Sequence, residues 1–560
     1  MRDAAPPSAT DGPWAPLASP VYRKLWAAQG ASNLGAWMHV VVAQWVTLRV
    51  SGSPLLVALV QTASTLPMVL LAAPAGVLAD VLDRRKVLIV VELGMFVSGA
   101  VLALTTLLGC GTAVAMLAFT FLIGCGSAVL WPAWQATQPE LVARSQIAQA
   151  TSLGSVNVNL ARVFGPALGG ALIAVAGAGI VFAVTAALFG IAGLTVASWR
   201  RTAVPDPVGR ERVLSGLRSG ARYVRNARSM RRVLVQSLLF VPAATSLWAL
   251  LPLLAGPQLH LGPQGFGLLL GALGGGAVLA TLLLPVLRRH LVTETVLTAS
   301  FLLYALSLGC LATTRWPALA LLLLATAGAA WLGLLSTLNA VAQLVLPEWV
   351  RARGLSYFIV VIGGSQAAGG VIWGVLATRV GVRWTFAIAA GMLACSALLA
   401  RRFPLLDPNG LDVRPSIRTL PSELDGALGA EERPVLVVVD YRIREGEATA
   451  FLRAMSAVAR VRRRTGARRW DLFWDPAVPQ RYVETFMVGS WEEHRRQHLG
   501  RMTVLDRRIV EDVNVHLAKP VLVSHLIAAE VPLSSSPRPL SARQLAAAVF
   551  SRRTRTIPEP

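Results

Sequence analysis

Long apolar stretches, each closed by a short polar break, fill the first 400 residues of the chain. A helix that crosses a bilayer needs about 20 consecutive, mostly apolar residues. Stretches of that kind run over roughly 25–49, 54–80, 86–109, 113–135, 148–176, 178–198, 233–256, 264–287, 291–313, 316–342, 355–378 and 382–401. The Gly- and Ala-rich segments 148–198 and 355–401 are the hardest to divide. After Arg402 the pattern changes. Residues 403–433 are rich in Pro, Asp and Gly and read as a linker. Residues 435–441 then read as a strand and 447–464 as a helix with Phe451, Met455 and Val458 on one face. Strands are expected at 469–474 and 482–488, a second helix from Trp491 to about Val515, and a last strand at 520–527. The order βαββαβ is the ferredoxin-like pattern.

The expected architecture is an all-α polytopic membrane protein with a soluble appendage. Twelve transmembrane helices form two six-helix halves, 23–198 and 233–402, joined by a linker at 199–232. An α+β ferredoxin-like domain occupies 434–530, and the tails 1–22 and 531–560 read as disordered.

Composition supports this reading. The chain is 54% hydrophobic and 14% charged, where soluble domains carry about 25% charged residues. The net charge of +23 comes from 52 Lys and Arg against 29 Asp and Glu. Such an excess can signal nucleic-acid binding, but here arginines punctuate the apolar runs. Arg23 and Lys24, Arg84 to Lys86, Arg144, the arginines of 200–232, Arg288 and Arg289, Arg351 and Arg353, and Arg401 and Arg402 all fall on alternate breaks. The other breaks hold little, with Arg315 between the ninth and tenth runs, and Arg379 and Arg383 between the last two are the exception. The positive-inside rule then places both termini in the cytoplasm of a multi-pass cell-membrane protein. In the linker, Leu214, Leu217, Ala221 and Val224 recur at helical spacing, which predicts an amphipathic helix on the inner leaflet. Cys110, Cys125, Cys310 and Cys395 lie in or beside apolar runs without metal-ligand spacing. No metal, cofactor or nucleic-acid partner is expected.

Several polar residues stand out against this background. The break after the second run holds Gly76, Asp80, Arg84 and Arg85. The fifth run holds Gly165, Pro166, Gly169 and Gly170. Gly165 and Gly169 share a helix face, permit close approach of a neighbour, and are expected at the contact between the halves. On the same face lie Thr151, Ser155, Asn159 and Arg162, the last about 14 residues into the run and so roughly 20 Å deep. A cation at that depth is expensive and is read as functional. The first run carries Gln29, Asn33, Trp37 and Gln44 on one stripe, fit to line a cavity. His39 lies off that stripe but titrates in the right range for proton coupling. Glu92 is six residues past Lys86 and is read as a member of a structural ion pair or as a proton-coupling site. Trp131, Trp134, Gln135, Trp331, Asn339 and Gln343 decorate the fourth and tenth runs, an aromatic and amide lining suited to a bulky, partly apolar organic molecule. In the appendage Glu484, Trp491, His494 and His498 are conspicuous, with the two histidines read as a solvated helix face.

The loop from Gly76 to Arg85 resembles the signature loop of the major facilitator superfamily, although Val81 and Asp83 depart from it. The Gly165–Gly170 stretch looks like the glycine-proline motif of that superfamily's exporters. Pro132 to Val142, Asn159 to Gly170 and Pro347 to Gly354 together resemble its enterobactin-exporter-like, transmembrane secretion effector branch. The resemblance implies secondary active export of a small organic molecule such as a siderophore, antibiotic or other hydrophobic compound. It implies alternating access driven by the proton gradient, with gating at the signature loop and substrate bound near midplane between the halves. The appendage resembles antibiotic-biosynthesis-monooxygenase domains, which leaves two other readings open: a membrane-anchored enzyme, or a ligand-sensing or homodimerisation module. Walker, nucleophile-elbow and dinucleotide motifs do not occur, which disfavours ATP-driven transport.

Overall fold

A computed structural model describes residues 12–200, 213–405, 412, 414, 416 and 433–528. The expected disorder of 531–560 and of residues 1–11 lies outside the described residues, whereas 12–22, expected to be disordered as well, holds a 3-10 turn at Ala15–Ala18 and the start of a helix at Pro20. The described chain divides into two compact units, the second beginning after Ser416, with Gly500–Arg508 counted in the first.

The first unit is built of helices α1 (Pro20–Ser51), α2 (Pro54–Val81), α3 (Arg84–Leu107), α4 (Ala113–Leu141), α5 (Ile147–Ala176), α6 (Ala178–Ser198), α7 (Val213–Asn226), α8 (Arg228–Leu253), α9 (Pro263–His290), α10 (Thr293–Leu311), α11 (Pro317–Val345) and α12 (Glu348–Ala400). Ten of the helices among the described residues are long and apolar enough to cross a membrane. In lipid, only such internally hydrogen-bonded elements satisfy the backbone. Helix ends are set by local chemistry. The Ser19 side chain accepts from Tyr22 N at the start of α1, and Asp83 accepts from Lys86 N at 3.1 Å at the start of α3. Both segments that the sequence divides poorly are broken by a glycine in the left-handed region. Gly177, at φ 80°, separates α5 from α6, and Gly381, at φ 81°, interrupts α12. Only glycine adopts that backbone without strain.

Helix α7 forms where the sequence predicts an amphipathic helix, but its apolar face is not simply laid on a leaflet. Tyr223 and Val224 are buried, and the Tyr223 ring meets Trp349 of α12 edge-on at 5.7 Å.

The second unit has a four-stranded antiparallel sheet of β1 (Val435–Ile443), β2 (Arg469–Trp474), β3 (Arg481–Val488) and β4 (Leu517–Ile527), in the order β2-β3-β1-β4. Helix α13 (Ala448–Thr465) connects β1 to β2. Strict alternation of burial along β1 and β3 gives the sheet one packed face, against which Phe451, Met455 and Val458 of α13 are buried. The expected single helix after Trp491 is instead several short helical segments. Strand β4 starts three residues before the expected Pro520. Proline cannot donate to a ladder and is tolerated only on edge strands or at bulges. Here β4 is an edge strand, and the register with β1 slips beside Pro520, between Asp440 and Arg442.

Candidate substrate site

The centre of the first unit is a chain of aromatic rings that crosses from one half to the other. Glycine spacing starts it. A Cβ on Gly165 would stand 2.7 Å from Trp37 Cβ, so the bare glycine lets α1 press against α5. That approach sets the Trp37 indole beside Arg162 on the same helix, with the guanidinium carbon 5.3 Å from the ring centroid. Such a contact is worth about 0.5–2 kcal/mol. Trp37 in turn lies 6.2 Å from Trp248 of α8, and Trp248 lies 5.9 Å from Trp331 of α11. Phe240 and Tyr304 pack behind Trp331 at 5.8 and 6.3 Å, and the Tyr304 hydroxyl donates to Ala244 O. Gln44 Nε2 donates to Trp248 O at 3.2 Å, tying α1 to the second half. Along this row of rings, Trp248 Nε1 and the Nε of Arg162 beside Trp37 are buried without an acceptor.

Around the rings the two halves touch closely at one end. A Cβ on Gly170 would meet Gly267 Cα at 2.5 Å, so α5 and α9 cross with backbone against backbone. On the other side of the molecule Gly370 and Gly374 of α12 face Thr62 and Ala58 of α2, and Thr62 Oγ1 donates to Ala367 O at 2.8 Å. At the opposite end Thr151, Ser155 and Asn159 of α5 and Asn339 and Gln343 of α11 are exposed. Asn159 Nδ2 folds back onto Ser155 O of its own helix.

Several sequence expectations need correction. Gly165 and Gly169 do not meet the other half. They face Leu34, Trp37 and Met38 of α1, and Gly170 makes the contact between halves, because one residue turns the helix face by about 100°. Trp134 lines no cavity: it is buried within the first half with Leu25, Val87 and Val196. Trp131 and Gln135 are half-buried on α4. Asn33 is taken up in helix packing, where its Nδ2 donates to Asn157 Oδ1 and its Oδ1 accepts from Gln29 Nε2. Glu92 forms no ion pair among the described residues. It accepts from Ser32 Oγ at 3.1 Å and is 2% exposed. His39 is fully buried, with Nε2 2.9 Å from Thr120 Oγ1 and its ring beside Phe182. Both titratable groups therefore lie inside the first half rather than in the aromatic chain. Trp248 and Asn157 escaped the sequence reading. The signal for Trp248 was an indole about 15 residues into an apolar run, too deep for the interfacial belt.

At the signature loop, Gly76 and Asp80 fall in the last turns of α2, at positions whose side-chain surroundings lie outside the described residues. The two arginines are well placed. Arg84 Nη1 donates to Ala136 O at 2.7 Å and to Glu140 Oε1 at 2.6 Å, at the end of α4. Arg85 Nη2 donates to Ala197 O at 2.6 Å, at the end of α6. The second half repeats the device, with Arg288 at the end of α9 donating to Thr337 Oγ1 of α11.

In the second unit Glu484 is fully buried and fully engaged. It accepts from Arg462 Nε at 3.0 Å, from the Tyr441 hydroxyl at 2.7 Å and from Trp470 Nε1 at 2.8 Å. Burial alone would push its carboxyl up, but the Arg462 charge and these hydrogen bonds hold it below the usual carboxylate range. His494 is buried rather than solvated, with Nε2 3.0 Å from His525 Nε2 and its ring 4.8 Å from that of His498. Burial, then the neighbouring His498 and His525, push it down to about 3.

Comparison with known proteins agrees with this geometry. A family model described as transmembrane secretion effector matches residues 11–532. The chain is 25% identical over 416 residues to the multidrug efflux pump Tap of Mycobacterium tuberculosis, covering 71% of this chain and 95% of the pump. It is 24% identical over 261 residues to the staphyloferrin A transporter of Staphylococcus aureus, covering 46% of this chain and 65% of that transporter. Among solved structures it superposes on the nucleoside transporter NupG with a TM-score of 0.57 at 15% identity, covering 68% of this chain and 99% of NupG. An inward-facing, occupied bacterial homologue of the lysosomal transporter Spinster gives 0.57 at 14% identity, covering 70% of this chain and 98% of that one. With the family model matched over residues 11–532, the chain belongs to the transmembrane secretion effectors of the major facilitator superfamily: it is a multi-pass membrane transporter, a secondary exporter of small molecules.

Proposed function

We propose that this transporter exports a bulky, partly apolar organic molecule of siderophore or antibiotic kind by alternating access and proton antiport. The observation that carries the reading is the row of Trp37, Trp248 and Trp331, which joins the two halves at the centre of the helices. Large flat rings flanked by a few polar groups suit such a ligand better than an inorganic ion. The membrane part has twelve spans in this reading: the ten apolar helices, with α12 counted twice about Gly381, and α1, whose polar stripe lowers its hydropathy. The arginine-rich end faces the cytoplasm, with both termini there. The two halves are then closed on the side away from the cytoplasm, since the close contacts of Gly170 with Gly267 and of Gly370 with Thr62 lie at that end. Export requires loading from the cytoplasmic side.

Of the two candidate proton sites, Glu92 fits better than His39, because it is a buried carboxylate in an apolar helix whose partner among the described residues is the Ser32 hydroxyl. The second unit is a ferredoxin-like module that pairs with a second copy. Its strand order and the exposed Phe473, Leu522 and Leu526 support this, and an enzymatic role is disfavoured because Glu484 is spent on internal bonds.

The test is accumulation of a panel of siderophores and hydrophobic antibiotics in cells with and without the protein, with and without a protonophore. Lower accumulation that the protonophore abolishes supports the reading, and Glu92→Gln should remove the protonophore's effect. Export that persists without a proton gradient rejects antiport.

A further inference from the structure

We infer that the exported molecule carries an oxyanion, a carboxylate or its chemical equivalent, and that Arg162 selects it. The inference rests on the export reading above and narrows its substrate class.

Arg162 is the sixteenth residue of α5. A guanidinium at that depth is stable only when paired or solvated. Among the described residues no ion pair reaches it, and its Nε is buried without an acceptor. The sequence offers one carboxylate well inside an apolar run, Glu92, and that side chain is committed to Ser32 within the first half. The Trp37 ring covers the face of the guanidinium. A ring face neutralises part of the charge, but it does not accept the in-plane N–H bonds.

The second orphan donor, Trp248 Nε1, belongs to the ring next to Trp37. Two buried donors, one on the guanidinium that lies over Trp37 and one on the neighbouring Trp248 ring, each carry an unmet desolvation penalty. One ligand group can relieve both: an oxyanion that meets the guanidinium fork with two oxygens and accepts from the indole N–H. Planar carboxylates match that fork. The flat apolar remainder of the ligand then lies against Trp37, Trp248 and Trp331. A neutral ligand leaves the buried charge uncompensated, and a cationic one adds like-charge repulsion.

The test uses the full-length protein in nanodiscs at one pH, with no gradient, and three pyrene probes that differ only in their head group. These are 4-(pyren-1-yl)butanoate, the corresponding butanamide and 4-(pyren-1-yl)butylammonium, read by energy transfer from tryptophan after subtraction of empty nanodiscs. The wild type should bind the butanoate at least about tenfold more tightly than the amide, with the ammonium weakest. Arg162→Gln should bring the butanoate down to the amide's affinity and leave the amide within about twofold. Arg162→Lys should fall between, because it keeps charge without the fork. Equal wild-type affinity for butanoate and amide, or a preference for the ammonium, overturns the inference without any variant. So does an Arg162→Gln protein that weakens on all three probes alike, since that describes a packing role. Binding of all three probes equally overturns only the anion preference, whereas binding of none removes the aromatic row as the export site.

Discussion

Replacing Gly170 with alanine should pry the two halves apart at the end where they now touch. The added Cβ would lie 2.5 Å from Gly267 Cα and 2.9 Å from both Gly267 N and Pro263 O. All three are backbone atoms of α9, so no rotamer change relieves the clash. Ordinary carbon–carbon separation is about 3.5–4.0 Å, and α5 and α9 must therefore separate by roughly 1 Å. Overpacking of this kind costs about 1–3 kcal/mol. The cost falls on the state closed at this end, so the closed-to-open ratio should drop by about 5- to 150-fold. Gly169→Ala is the control one residue away. Its Cβ would sit 3.5 Å from Met38, an ordinary contact within the first half, so the halves should not notice it. The assay is the spin-label distance between Thr112 and Arg315, exposed positions in the α3–α4 and α10–α11 connections at the same end, in a background with the four native cysteines replaced. Gly170→Ala should shift the distribution to longer distances while Gly169→Ala leaves it unchanged. Identical distributions for Gly170→Ala and wild type, or equal shifts for the two variants, would refute the reasoning.

Other consequences concern the signature loop and the second unit. Arg84→Glu or Glu140→Arg alone should lower efflux severalfold with normal membrane levels, and the double exchange should recover part of it; no recovery would mean that the 2.6 Å pair is not the relevant contact. Glu484→Gln strips the charge opposite buried Arg462 and should destabilise the second unit by about 3–5 kcal/mol, seen as faster amide exchange across β1 and β3 of the full-length chain. Replacing Arg462 and Glu484 together with methionine should cost less than the single change. The pH response follows from His494. Its folded value of about 3 lies below its ordinary 6.5, so the unfolded chain takes up the proton first as pH falls. Stability of the second unit is complete above about pH 6.5 and declines toward pH 3. Glu484, also depressed, adds a further loss below the usual carboxylate range. His494→Phe should flatten the upper part of that decline, and an unchanged amide-exchange profile would contradict it.

Much of the architecture was legible in the chain because a bilayer leaves the backbone little choice. Each apolar run must close its own hydrogen bonds, so length and composition alone mark α2 to α6 and α8 to α11. Glycines at the two doubtful divisions were visible, but only the positive φ of Gly177 and Gly381 showed that they end helices. The strands of the second unit were legible for a similar reason: alternation along 435–443 and 481–488 reflects one packed face. Trp37, Gln44, Arg162 and Trp331 stood out as polar or aromatic exceptions in apolar surroundings, and Arg84 and Arg85 as a basic break between two apolar runs.

What tertiary structure decided was which exceptions face one another. Helical periodicity assigns a residue to a face, and nothing in one helix says which neighbour covers it. So Gly165 and Gly169 share one side of α5 by their spacing, yet only packing showed that side to be the α1 interface and Gly170 to be the bridge to α9. Trp134 and Trp331 looked alike in sequence, but one is buried among Leu25 and Val87 and the other stands in the central row. Arg162 was legible as a deep cation, while its unmet N–H and that of Trp248 emerged only when two helices from different halves were brought together. Composition and period come from each segment's own contact with lipid or core, and so can be read locally. A site made where segments meet depends on distances between residues far apart in the chain, which only the folded structure supplies.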